Sequence, residues 1–348
     1  MRNAIKKILL FVITIMAMAM AWLWVDYSNF MHSPMTLSND QTIFMVEPGS
    51  NLSQIAISLR DKGILSHPRY LRMYGRIEGN ANRISVGEYQ LEPGMTPAVF
   101  YQNLIAGKVI QHALTIVEGW TFRQMLEAIH ANPVLQATLK NSSAEQVMIA
   151  IGQEGQHPEG RFLPDTYHFT RGMTDVEFLK RAYQAMQDYL QQQWPQRSVG
   201  LPFNNSYEAL ILASIVEKET GKGSERAAIA GVFVRRLQQH IRLQTDPTVI
   251  YGMGDRYQGN IQRKDLLEDT PYNTYRRSGL TPTPIALPGR EAIYASLHPE
   301  EGDDLYFVSK GDGSHYFSST LEQHNQAVIK YQLNGRKRSF SSYKNKSE

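Results

Sequence analysis

The sequence predicts an α+β protein in three parts: a single N-terminal transmembrane helix, a small α/β module and a larger mixed α+β domain. Three observations carry this expectation. Ile8–Val25 holds no charged residue. Between 42 and 108, two short strand-like runs are separated by helical periodicity. From 109 to 335, strand-like runs alternate with amphipathic helices and no internal repeat is visible. A chain of 348 residues has room for two or three domains. Its 42% hydrophobic and 20% charged residues exclude disorder, collagen and coiled coil as the main theme.

The first part runs 1–7 as a cytoplasmic tip, 8–25 as the membrane helix and 26–41 as a linker. A bilayer core needs about 20 apolar residues, so Ile8–Val25 is long enough to span. Lys6 and Lys7 precede it and Asp26 follows, which places the N-terminus in the cytoplasm. Trp22 and Trp24 fall where interfacial aromatics belong. A cleavable signal peptide is the competing reading, because Ala17-Met18-Ala19 resembles a cleavage site. Both readings export the remainder. Zero cysteines exclude disulfides, thiol catalysis and Cys-ligated metals. A net charge of +3 is too slight to argue for nucleic acid.

The module 42–108 begins with strand-like Thr42–Val46 and a Pro48-Gly49 turn. Ser50 is placed to cap a helix Leu52–Asp61, whose Leu52, Ile55, Ala56 and Leu59 share one face. A helix over His67–Gly75, a strand Val86–Leu91 and a helix Pro97–Ile105 stopped by Gly107 complete it. This order resembles a LysM-like module, a small fold found in proteins that touch cell-wall glycan; a plain spacer domain is the alternative.

In the domain 109–335, a strand over Val109–Val117 precedes a helix Thr121–Ile129 and a polar-aromatic loop Glu159–Tyr167. Helices are expected at 175–193, 206–220 and 225–239, and then loops to about residue 290. A hairpin, Leu305–Ser309 with His315–Phe317, and a helix Leu321–Leu333 close the domain. His315 is expected in that hairpin and His324 on a helix surface. The tail 336–348 is basic. It reads as a solvated chain end, with weak attraction to anionic lipid or wall polymer as the alternative.

The helix 206–220 opens with a capping-box pattern, Asn205 with Glu208, and Gly221 reads as its stop. Stepping about 100° per residue from Ile211 puts Ile215 near 40°, Leu212 near 100° and Glu219 near 80°, inside the apolar face. Glu217 falls near 240°, toward solvent, as a solvated or orienting group. A glutamate on an apolar face has its charged form disfavoured and can serve as a general acid. The alternatives are that Glu219 pairs with a buried Arg or Lys, or ends a frayed helix. The following loops, with Gln244, Thr245, Asp246 and Tyr251 and then Tyr272, Asn273, Thr274 and Tyr275, are rich in groups that suit sugars. Aromatic faces stack on pyranose C–H groups, and amides and hydroxyls bond sugar hydroxyls. Turn-rich loops without a ligand would look the same. No HExxH, phosphate loop, dinucleotide fingerprint or GxSxG elbow is present, so no cofactor and no metal site are expected.

The strings ASIVEKETG, RLQTDPTVIYGMG, PYNTY and GLTPTPIALPG, in this order and spacing, resemble the MltG (YceG-like) family of endolytic murein transglycosylases. The similarity covers nearly the whole chain. Thr281 and Thr283 stand where the family usually has Pro and Gly. The resemblance implies that the second glutamate of the Glu-Lys-Glu motif, Glu219, is the acid/base. It also makes Asp165 a polar anchor in a matching loop. It implies an enzyme of the cytoplasmic (inner) membrane with an extracytoplasmic catalytic domain. That enzyme would cut the β-1,4 bond from N-acetylmuramic acid to N-acetylglucosamine in nascent peptidoglycan strands. Glu219 would protonate the leaving oxygen and then take the C6 hydroxyl proton as a 1,6-anhydro ring closes. Peptidoglycan synthases are the partners implied. Two functions stay open beside it: a muramidase-type hydrolase using Asp246 as a second carboxylate, and a silent glycan-binding scaffold.

Overall fold

The computed structural model describes residues 2–37 and 42–333; the basic tail 336–348 lies outside them. It is a mixed α+β structure in two compact units. One comprises the chain up to Ala113 together with His168–Gly172, and the other holds Leu114–Tyr167 and Met173 onward.

The first unit carries α1 (Arg2–His32), β1 (Thr42–Val46), α2 (Leu52–Asp61), α3 (Pro68–Glu78), β2 (Gly87–Leu91) and α4 (Pro97–Ala106). The strands pair antiparallel, from Thr42 opposite Leu91 to Val46 opposite Gly87. Alternation sends Phe44 and Val46 inward onto Ile55, Leu59, Leu71 and Phe100. Asn51, not Ser50, caps α2: it accepts from the Gln54 N–H, and Gln54 answers the cap N–H at 2.9 Å. Gly107 stops α4 in the left-handed region, as its position after the last apolar residue predicts.

One helix, Asn3–His32, is long and apolar enough to cross a membrane. Its apolar run Ile8–Val25 is exposed throughout. The stretch 26–32, expected as linker, continues the same helix. Tyr27 and Met31 on it, with Met35 just beyond, are buried in the core of the first unit. The helix persists because this stretch holds neither Gly nor Pro and buries one face.

The chain passes between the units in β3 (His112–Thr115) and β4 (Thr166–Phe169). β3 is shorter than the expected 109–117. The second unit adds α5 (Phe122–Ala131), α6 (Ala144–Ala150), α7 (Asp175–Gln193), α8 (Ser206–Glu219) and α9 (Arg226–Gln238). It continues with α10 (Asp246–Met253), α11 (Arg263–Leu267), α12 (Arg290–Leu297), the hairpin β5 (Tyr306–Ser309) and β6 (His315–Ser318), and α13 (Leu321–Tyr331).

α8 is the central rod. Every residue from Ala209 to Val216 is buried, and α9, α10 and α12 pack around it. The region expected as loops up to about 290 contains α10 and α11. Pro247 in the first turn pre-sets φ for α10, a start that the surrounding Gly, Asn and Tyr residues conceal.

Candidate functional site

The site is built at the C-terminal end of α8. Asn205 caps the start of the helix by accepting the Glu208 N–H at 3.1 Å. Glu208 does not complete the expected box; its carboxylate takes the Asn204 N–H at 2.7 Å instead. The helix ends at Glu219 because Thr220 turns extended, without a left-handed glycine at Gly221.

Glu219 keeps a partly exposed edge while its carboxylate accepts a hydrogen bond from the Thr245 hydroxyl. Thr245 is fixed in turn. Its N–H donates to Thr274 Oγ1 at 3.1 Å, and its carbonyl accepts the Thr248 hydroxyl at 2.7 Å. Gln244, just before it, adopts a left-handed backbone (φ 52°), a conformation costly for a side chain of this kind. That turn aims Thr245 at Glu219 and starts α10. Asp246 Oδ1 accepts the Tyr275 hydroxyl at 2.6 Å. Beside them Arg236 of α9 spends its guanidinium on the carbonyls of Leu305 and Leu243, each at 2.6 Å, and lies 5.1 Å from the Tyr306 ring. Together these groups line a cavity of about 500 Å³ closed by the β5–β6 hairpin and α13. That volume is in the range of small-molecule and glycan pockets.

The electrostatics follow from this burial. Desolvation pushes the Glu219 carboxyl up to about 7, opposed by the Thr245 hydrogen bond, reinforced by the Asp246 charge and opposed by Arg236. Near neutral pH the group therefore exists in comparable amounts as acid and as carboxylate, the condition that suits a group required to give and retake a proton. Burial likewise raises the Tyr275 hydroxyl, so it stays a donor to Asp246.

Of the residues singled out from the sequence, Glu219, Gln244, Thr245, Asp246 and Tyr275 meet at this cavity. Asn273 does not reach it as a sugar contact. It is 1% exposed. Its amide nitrogen donates to the carbonyls of Asp265, Leu266 and Glu268, and its oxygen accepts the Tyr275 N–H. Thr274 is buried with its hydroxyl between Thr245 and Thr248. Tyr251 and Tyr272 pack edge to face at 4.9 Å away from the cavity lining. Tyr272 shares a 2.9 Å hydrogen bond with Thr283. Asp165 is exposed and pairs with Arg290 at 2.9 Å. Thr281 and Thr283 satisfy their hydroxyls within their own loop, on the carbonyls of Thr283 and Pro284.

Glu217 contradicts the helical-wheel expectation. Its side chain is only 6% exposed and meets Arg226 at 3.3 Å. Its other oxygen accepts the Gly289 N–H at 2.9 Å. A wheel assigns one face to solvent, whereas α8 is enclosed on every side from Ala209 to Val216.

Several residues escaped the sequence reading. Arg236 was hidden among the basic residues ending α9, although its apolar neighbours Phe233 and Val234 mark an inward face. His315 and His324 also line the cavity. His324 is half-buried, stacked on Tyr306 at 5.3 Å, rather than on a helix surface. Glu159, beside the glycine whose Cβ position abuts Pro284, is a second buried acid. Desolvation raises it to about 7 against bonds from the Phe122 N–H and the Tyr251 hydroxyl.

The model of the YceG-like family matches residues 44–330. A Bacillus subtilis (strain 168) protein named endolytic murein transglycosylase is 30% identical over 334 residues, covering 88% of this chain and 89% of that protein. A protein of the same name from Streptococcus pneumoniae serotype 2 is 27% identical over 323 residues, covering 82% of this chain but only 57% of the longer streptococcal protein. The crystal structure of a yceG-like protein from Listeria monocytogenes superposes with a TM-score of 0.50 at 30% identity, covering 83% of this chain and all of that one.

Proposed function

The chain belongs to the YceG-like family, and from that membership and the geometry around Glu219 we propose that it is a peptidoglycan lytic transglycosylase. The observation that carries the mechanism is one carboxyl group, raised to about 7, at the edge of a polar cavity. As an acid, Glu219 protonates the glycosidic oxygen while the C1–O4 bond of the muramoyl residue breaks. As a carboxylate, it ends the cycle by recovering the proton that the C6 hydroxyl gives up as its oxygen bonds C1 and leaves a 1,6-anhydro end. Thr245 holds the carboxyl in place, and Asp246 keeps its proton affinity high enough for the first step.

The finer reading places the enzyme as a single-pass protein of the cytoplasmic membrane, with its catalytic domain outside. The apolar span and its Lys6, Lys7 and Asp26 flanks support this. The β1-α2-α3-β2-α4 order supports a LysM-like, glycan-facing module. An active site tethered to the membrane is within reach of emerging strands. Cutting inside them would end their elongation, beside the synthases that make them.

A hydrolase is the second reading, favoured by the like charge that Asp246 brings to the same cavity as Glu219. Retaining and inverting glycosidases need such a pair of carboxylates. Mass spectrometry of products from uncrosslinked glycan strands separates the two. Anhydro-muramoyl ends from the wild type, and none from folded Glu219→Gln, are expected. Reducing ends carrying an oxygen from water would replace the lyase with the hydrolase. Cleavage by neither protein, with glycan still bound, would leave a scaffold.

A further inference from the structure

In the lining of the same cavity, the hairpin presents a second proton-handling group that the single-carboxylate scheme leaves unused. His315 opens β6 and lines the same cavity as Glu219. One carboxylate grips it twice. Glu225 accepts its Nδ1–H at 2.7 Å and its backbone N–H at 3.2 Å. Glu225 is itself largely buried and has Lys222 at 3.6 Å. Burial opposes its charge, but the two His315 bonds together with the His315 and Lys222 charges outweigh that and hold its carboxyl below the ordinary value. An ionised carboxylate only accepts, so in the neutral imidazole the hydrogen sits on Nδ1 and Nε2 carries the lone pair. Among the described residues Nε2 has no hydrogen-bond partner, nor is it a sealed orphan like the Nε2 atom of His298. The rings of Phe307 and Phe317, at 5.4 and 6.5 Å, restrict its plane. A carboxylate-oriented imidazole with an unpartnered nitrogen, on a residue that lines the cavity of the acid, is the arrangement that general-base histidines use.

Resting on the lyase reading, we propose that His315 receives the proton of the substrate's C6 hydroxyl and relays it to Glu219. Glu219 gives its proton to the leaving O4 as C1–O4 breaks. The C6 oxygen bonds C1, and its proton goes to Nε2 of His315. The imidazolium, stabilised by Glu225, then returns that proton through cavity solvent to the Glu219 carboxylate. Both groups are restored, and no further reactant is consumed. The relay also sets the outcome of the reaction. Water and the C6 hydroxyl compete for the same C1, and a base held on the hydroxyl favours ring closure.

The test uses the full chain in detergent, uncrosslinked glycan strands, and the wild type beside His315→Gln, His315→Ala and Glu225→Gln. General-base removal lowers kcat by about 100-fold or more. His315→Gln should show that loss with KM changed much less, and a larger share of water-derived reducing ends. Added imidazole should partly restore His315→Ala, and Glu225→Gln should fall between wild type and His315→Gln. A kcat for His315→Gln within about threefold of wild type would overturn the proposal. So would a loss that imidazole leaves untouched while the anhydro-to-reducing ratio stays constant, since an ion pair that merely ties β6 to Glu225 would behave in that way. Should His315→Gln melt early, imidazole rescue and Glu225→Gln still decide. A wild type producing only reducing ends would instead remove the lyase reading itself, whatever the variants do.

Discussion

The proton on Glu219 is governed by neighbours acting in opposite directions, and this makes its chemistry adjustable one residue at a time. Burial raises its affinity, the Thr245 hydroxyl stabilises the carboxylate, the Asp246 charge disfavours it, and Arg236 favours it. With Glu219 as the proposed acid that protonates the leaving oxygen, kcat/KM should fall as pH rises through about 7. Asp246→Asn removes a like charge; the Glu219 value drops and the falling limb moves to lower pH. Thr245→Val removes a bond to the carboxylate; the value rises and the limb moves to higher pH, with a lower rate from lost positioning. pH profiles of the two variants should therefore diverge from wild type in opposite directions. Limbs displaced the same way would mean that another group titrates there. Glu219 was legible in the sequence because a charged residue among Ile211, Leu212 and Ile215 is conspicuous on a wheel. Glu217 was misread by the same device. Nothing in the local periodicity reveals that α9, α12 and the 287–289 backbone would close the other side.

Elements were legible where their ends carry chemistry. Thr121, Thr174 and Thr320 each accept from the N–H three residues on, and the helices after them start there. The stretch after α9 was harder, because its polar residues serve either sugar or backbone, and only the fold decides which. Asn273 is the clearest case. In a sugar site it would offer a free amide, but here its groups hold the turn through 265–268 and the N–H of Tyr275. Asn273→Ala would strand buried carbonyls at a cost of about 2–3 kcal/mol, which lowers Tm by about 4–12 °C in a unit of this size. KM of the molecules that remain folded should change little, because the residue does not touch glycan. A raised KM with an unaltered Tm would return Asn273 to the substrate. Calorimetry and steady-state kinetics on one preparation give both numbers.

At the scale of the whole molecule, the N-terminal helix is more than an apolar span. The sequence marked the apolar span from its lack of charge, but not the end of the helix, because Asp26, Ser28 and Asn29 look like linker. Hydropathy reports only how a segment meets lipid or water; it does not show that Tyr27 and Met31 have a protein core waiting for them. Met31 is 1% exposed, and Tyr27 and Met35 are nearly as deep, packed with Leu71, Phe100 and Leu104. The Asp26 carboxylate also accepts the Tyr70 hydroxyl of α3. Burying side chains of this size contributes about 1.5–3 kcal/mol each, a large fraction of what a unit this small can hold. The site at which a soluble form is cut therefore matters. A chain beginning at Val25 keeps all of these contacts and should protect β1 and α4 from hydrogen exchange as the full chain does. A chain beginning at Thr36 loses Tyr27, Met31 and Met35. Its first unit should melt about 10 °C lower or more, and exchange at Phe44–Val46 and Phe100–Leu104 should accelerate, while α8 keeps its protection. Equal protection in the two truncated chains would mean that the end of α1 contributes nothing to the core it enters. A first unit weakened only in the shorter chain would make the last turns of α1 part of the fold, so that a cut between Asp26 and Met35 both removes the apolar span and loosens the N-terminal unit.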